Sequence, residues 1–107
     1  MQKRLPLPWV VRKMTRDTAE LYGLRDRGLL APGLKGDVNV IDFEGLTLHP
    51  PTVVYDLPAE GRRLVQRATG YDKTIVSGRV AFENGEPTGV LGGRLIRGSQ
   101  PSPEAAA

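Results

Sequence analysis

The hydrophobic pattern that organises the rest of the chain lies in the segment 73–85. Two short runs rich in β-branched and aromatic residues, Thr74–Val76 and Val80–Phe82, flank the dipeptide Ser77-Gly78. Glycine after serine or asparagine supplies the positive φ that a two-residue hairpin turn needs, and Asn84-Gly85 repeats this signal. The pattern predicts a β-meander, which requires a covering surface because two strands alone are marginal in water.

A helical period occupies the start of the chain. Four apolar residues fall at i, i+3, i+4 and i+7, which places them on one face of a helix. A proline suited to a first helical turn stands among them. We predict a break at Thr15 to Asp17 and a second short helix over Thr18–Tyr22 that Gly23 ends. The apolar stripe consists of Leu7, Val10, Val11 and Met14. Core packing is the expected role of Met14 and of the neighbouring Trp9.

The remaining segments have weaker signals. Asp37–Phe43 and Thr52–Asp56 are predicted strands, and Arg94–Arg97 is a candidate last strand. Glycines and prolines make 24–36 a connector, and the prolines at 50 and 51 predict irregular structure over Thr47–Pro51.

Two further segments complete the organisation. Glu60–Tyr71 fits both helix and strand, and we interpret it as irregular or extended. Residues 99–107 are predicted to be a disordered tail. The fold class is therefore mainly β with one or two short N-terminal helices.

Composition agrees with one small domain. The chain has 107 residues, of which 39% are hydrophobic, and it contains 13 glycines and nine prolines. It has no cysteine, which excludes disulfides and thiolate chemistry. No long apolar run indicates a signal peptide or a membrane span, so we expect a soluble, cytoplasmic protein with no membrane partner.

The net charge of +3 raises the question of an acidic partner. The 15 lysines and arginines are spread along the chain with 12 acidic residues among them. Mixed surface charge of this kind is normal for solubility, and nucleic acid is not the expected partner.

Candidate chemistry is sparse. His49 is the single histidine, and one imidazole does not provide the three or four ligands of a zinc site. Four aspartates lie far apart beside predicted strands, and neither Ser77 nor Ser99 has a nucleophile-elbow context. Glycines near 85–93 lack the pattern of a phosphate-binding loop. We predict no catalytic, cofactor-binding or metal-binding residue. The four aspartates are Asp37, Asp42, Asp56 and Asp72.

Two groups of motifs resemble metal-dependent amidohydrolases. The segment 23–43 looks like the passage from the last barrel helix of those enzymes into their small β-domain. The residues that carry this likeness are Gly23-Leu24, Asp26-Arg27-Gly28, Ala31-Pro32-Gly33 and Asp37.

The segment 55–98 is similar to the closing segment of the N-acyl-D-amino-acid deacylases, the D-aminoacylase branch of that superfamily. The resemblance extends from about Leu5 to Gly98. Its motifs are Arg62-Arg63-Leu64, Gly70-Tyr71, Ile75-Val76-Ser77-Gly78, Gly85-Glu86-Pro87-Thr88-Gly89 and Gly93-Arg94-Leu95.

This resemblance implies a longer parent enzyme that uses zinc at the mouth of a (β/α)8 barrel to hydrolyse the linear amide of N-acyl-D-amino acids. The zinc ligands and the catalytic aspartate of such enzymes correspond to no position of this sequence. The resemblance makes residues 1–23 terminal barrel helices, 24–36 a connector, 37–98 strands of a small β-sandwich and 99–107 the tail.

Two functional classes follow. The preferred class is a non-catalytic C-terminal structural fragment, an incomplete part of an amidohydrolase whose partners are the missing barrel and N-terminal strands. Such a fragment should expose apolar faces and strand edges, with a marginal fold, self-association or partial disorder over Met1–Tyr22. The alternative is an autonomous small basic β-module that binds an acidic partner such as nucleic acid.

Overall fold

A computed structural model describes residues 4–103, which form two compact units. The first unit contains residues 4–38, 75–79 and 91–103, and the second contains Asn39–Thr74 and Val80–Val90.

Two short helices begin the described chain, as the apolar period predicts. α1 spans Leu7–Met14 and α2 spans Arg16–Leu21, with Thr15 between them at φ −121° and ψ −85°. The Thr15 hydroxyl donates to the Val11 carbonyl at 2.7 Å, a local bond that competes with helix continuation. The two helices occupy most of Met1–Tyr22, the segment for which partial disorder is one expectation. Residues 1–3 lie outside the described part.

Eight strands make the described chain mainly β, which confirms the predicted fold class. They form a four-stranded sheet in the order β1-β6-β7-β8 and two antiparallel pairs, β2 with β5 and β3 with β4. The strands are β1 Val38–Ile41, β2 Thr47–Leu48, β3 Thr52–Leu57, β4 Gly61–Val65, β5 Ala68–Thr69, β6 Tyr71–Val76, β7 Arg79–Glu83 and β8 Glu86–Pro87.

The predicted meander is confirmed. Ser77 and Gly78 both have positive φ, 52° and 77°, and Asn84 and Gly85 have 51° and 82°. Two consecutive positive φ values are typical of the hairpin turn whose twist matches that of its strands. These turns connect β6 to β7 and β7 to β8.

Three predictions need correction. Thr47–Leu48 is paired with Ala68–Thr69, although the prolines that follow predicted irregular structure. Arg94–Arg97 forms no strand. Gln100, which we predicted to lie in a disordered tail, forms an isolated parallel β-bridge with Leu24. Its backbone forms hydrogen bonds with residues 23 and 25. Residues 104–107 of that tail lie outside the described part.

The extended interpretation of Glu60–Tyr71 agrees with β4 and β5.

Burial is very low for a folded chain. Within residues 4–103 the buried hydrophobic residues are Ala19 and Ala81, while 22 large hydrophobic side chains are exposed. The accessible surface is 9186 Å². Two separately folded units, each of half the mass of the chain, would together expose only about 7,100 Å². Neither unit therefore has the core that its apolar residues would form if they were covered.

Candidate functional site

One concavity of about 490 Å³ lies in the second unit around the single histidine. His49 Nε2 is 3.0 Å from the Thr69 hydroxyl, and the His49 carbonyl accepts a hydrogen bond from Gln66 Nε2 at 3.1 Å. The amide of His49 donates to the Arg67 carbonyl at 2.9 Å. These bonds extend the β2–β5 pairing and hold the imidazole beside that pair, after the end of β2.

This concavity has polar groups but no arrangement that indicates a reaction. Tyr71, Asp72 and Glu86 also line it. Within residues 4–103, no three histidine, cysteine or acidic side chains come together in a way that would hold a metal ion.

The side chains of three of the four aspartates accept hydrogen bonds that hold turns, loops or strands in place. Asp37 Oδ1 accepts the Ser77 amide at 2.9 Å, and Asp42 Oδ1 accepts the Gly45 amide at 3.3 Å. Asp56 binds the Arg63 guanidinium through two hydrogen bonds of 2.8 and 2.6 Å. These bonds stabilise a turn, a loop and a hairpin respectively. Ser77 is the first residue of the two-residue turn between β6 and β7, with φ 52°.

The Asp56–Arg63 pair predicts an acid-sensitive hairpin. The Arg63 guanidinium lowers the pKa of Asp56 below its usual value, chiefly through the side-chain hydrogen bond. Because the folded-state pKa is lowered, this pair stabilises the hairpin at higher pH and the contribution is lost as pH falls below about 4. We expect the Arg63 Nε proton resonance to move in that range, and Asp56→Asn to abolish the movement. The same movement in Asp56→Asn would show that another group is responsible, and Asp72→Asn is the matched control.

The helices border an apolar groove of about 730 Å³ in the first unit. The stripe predicted to pack in a core is exposed along most of its length, and 48% of Trp9 and 74% of Met14 are accessible. Leu29 and Leu30, beyond α2, line the groove together with Leu7 and Val11, and Arg12, Arg16 and Glu20 also line it. Exposed apolar side chains with polar residues beside them are typical of a surface that another element covers.

The β3–β4 hairpin carries a second apolar surface, in the other unit. Val53 and Leu64 lie opposite each other across the two strands and so share one face. Tyr55 lies two residues beyond Val53, and the exposed fractions of Tyr55 and Leu64 are 68% and 69%. A two-stranded pair with one bare apolar face is marginal in water. We call this face, formed by Val53, Tyr55 and Leu64, the hairpin face.

These surfaces define a mainly β scaffold whose main feature is uncovered apolar area. Residues 1–82 match the model of the amidohydrolase family, which is more than half of the chain. The chain belongs to the amidohydrolase family. No curated protein and no solved structure matches it.

The family match confirms the superfamily to which the motifs around Asp26-Arg27-Gly28 pointed. In the structure the residues of this motif make hydrogen bonds that hold the connector in place. Arg27 binds the Asp26 carboxylate, and Arg16 Nη1 donates to the Arg27 carbonyl at 3.1 Å. Neither helix in the described residues has the length and apolar character that crossing a bilayer requires.

Proposed function

We propose that this chain is the non-catalytic C-terminal structural portion of a zinc-dependent amidohydrolase that hydrolyses N-acyl-D-amino acids. The observation that carries the proposal is the amount of uncovered apolar surface in a chain of this family. An independent domain of this length would bury its leucines, valines and aromatic residues, whereas here only alanines are buried among the described residues. The rest of the parent enzyme would supply the missing cover.

The domain assignment forms part of this proposal. Residues 1–23 are the terminal helices of a (β/α)8 barrel, 24–36 connect them to the small domain, and 37–98 contribute strands to its β-sandwich. The apolar groove beside α1 would then face the barrel, and the hairpin face would meet strands from the start of the parent chain.

The substrate class rests on motif likeness. The closing-segment motifs from Arg62 to Leu95 resemble those of the D-aminoacylase branch, and the family match supports the broader amidohydrolase assignment. Zinc and its ligands belong, in this proposal, to the part of the parent that carries the barrel mouth. His49 has no second imidazole beside it and receives no role in the reaction.

The alternative of a basic module for acidic partners has less support from the side-chain arrangement. Within residues 4–103, six of the 14 lysines and arginines lie within 4.0 Å of a carboxylate, and this pairing leaves them less available to phosphate groups. Tyr71 and Phe82 are the two aromatic residues that could stack on bases.

Fragment complementation tests the proposal. A D-aminoacylase lacking its last hundred or so residues is co-expressed with this chain, and N-acetyl-D-methionine is the substrate. We expect the chain to restore soluble enzyme and activity on the D-enantiomer, because it covers the same apolar surfaces that truncation exposes. A truncated amidohydrolase of another branch is the matched control.

Three outcomes would contradict the proposal. Failure to restore the D-aminoacylase would remove the subfamily assignment, and equal restoration of the control enzyme would leave only the family. Stoichiometric zinc together with deacylation by the purified 107-residue chain would overturn its non-catalytic role.

A further inference from the structure

A second concavity, of about 280 Å³, lies within the first unit where three separate segments converge. The connector contributes Asp26, Arg27 and Lys35, the hairpin turn contributes Ser77, and the segment after residue 91 contributes Arg94. Only the tertiary structure brings these positions together, because Lys35 and Arg94 are far apart in the sequence. We call this concavity the cationic pocket.

Positive charge in the cationic pocket exceeds the negative charge that compensates it. Arg27 binds the Asp26 carboxylate at 2.8 and 3.1 Å, which uses two of its five N–H donors. Lys35 Nζ is 3.9 Å from Asp37 Oδ2, beyond hydrogen-bond distance. The other oxygen of Asp37 already accepts the Ser77 amide. Arg94 has no carboxylate within 4.0 Å among residues 4–103.

Burial makes this excess costly. The Arg27 and Lys35 side chains are only 18% and 21% exposed, so much of their hydration has been removed, whereas Arg94 is exposed. A partly desolvated cation without a hydrogen-bonded partner is unfavourable, and like charges that converge on one concavity add to the cost. An anion beside Lys35 and Arg94 would offset this excess, at the cost of repulsion from the Asp26 carboxylate, which also lines the pocket.

We propose that the cationic pocket binds a small oxyanion of the phosphate type. Arg94 and Lys35 supply charge-assisted donors from opposite segments, and the Ser77 hydroxyl adds a neutral donor at the pocket wall. A guanidinium and an ammonium are the groups that proteins commonly use for phosphate oxygens. The volume leaves room for accompanying water. Phosphate binding of this kind is independent of the proposed function, since it concerns residues of one unit of this chain alone.

Titration of the purified 107-residue chain with inorganic phosphate at low ionic strength tests the inference, with calorimetry as the measurement. We expect saturable binding, and Arg94→Gln should weaken it about fivefold to tenfold because a charge-assisted bond to an oxyanion is lost. Arg97→Gln is the matched control, since Arg97 is an exposed arginine that does not line the pocket. Lys35→Gln is the second pocket variant, and sulfate serves as a competing oxyanion.

The outcomes are distinguishable. Absence of saturable binding, or equal loss in Arg94→Gln and Arg97→Gln, would overturn the proposal, the latter by showing only general charge attraction. Glu104 lies outside the described residues, so Glu104→Gln is also measured. If phosphate binds only to Glu104→Gln, the pocket serves a carboxylate of the chain itself and the proposal is overturned. Comparable binding by the wild type and Glu104→Gln supports it.

Discussion

Gly70→Ala is expected to disrupt the second unit, at a cost of roughly 3 kcal/mol or more in its stability. Gly70 has φ +106°, which side-chain-bearing residues rarely adopt. A Cβ atom there would lie 2.6 Å from Leu46 Cα and 2.9 Å from Leu46 N, so a backbone segment would have to move. The movement would break the bond of 2.8 Å from the Asp42 amide to the Gly70 carbonyl.

Hydrogen exchange of the Asp42 amide measures this effect locally, and a urea titration measures it for the whole chain. Gly85→Ala is the matched control in the same unit. Its φ is +82° but no atom lies within 4 Å of the added Cβ, so only the conformational cost of about 1–2 kcal/mol remains. Equal losses in the two variants would show that the approach to Leu46 contributes nothing.

Concentration-dependent self-association of the isolated chain is the second large effect that we expect. Sedimentation should give an average mass above that of one chain, rising with concentration, because the groove beside α1 and the hairpin face are uncovered. Leu64→Lys should raise the concentration needed for association about tenfold or more, since burying a leucine stabilises an interface by about 2 kcal/mol.

Asn39→Lys is the control for charge. Asn39 is exposed on β1 in the same unit and is already polar, so the same added charge should change association little. A wild-type chain that sediments as a monomer and unfolds in urea with ordinary cooperativity would contradict the expectation. That result would also weaken the proposal that another part of a parent enzyme covers these surfaces.

Local chemistry explains which elements the sequence predicts well. Ser77-Gly78 and Asn84-Gly85 determine their turns within two residues, and the apolar period of α1 needs only one helical face. β2 was missed because its two residues carry little local signal, and its pairing depends on Ala68–Thr69, some twenty residues later. The role of Gln100 was missed for the same reason, since its partner is Leu24.

The sequence by itself determined the mainly β character, the two short helices, both hairpin turns and the amidohydrolase likeness, because each depends on neighbouring residues or on a motif. Tertiary structure alone decided that the α1 stripe stays uncovered and that Lys35 and Arg94 share one concavity. Periodicity identifies the face of an element that should be buried but does not specify what covers it. Charges distant in sequence become neighbours only when the backbone between them has folded.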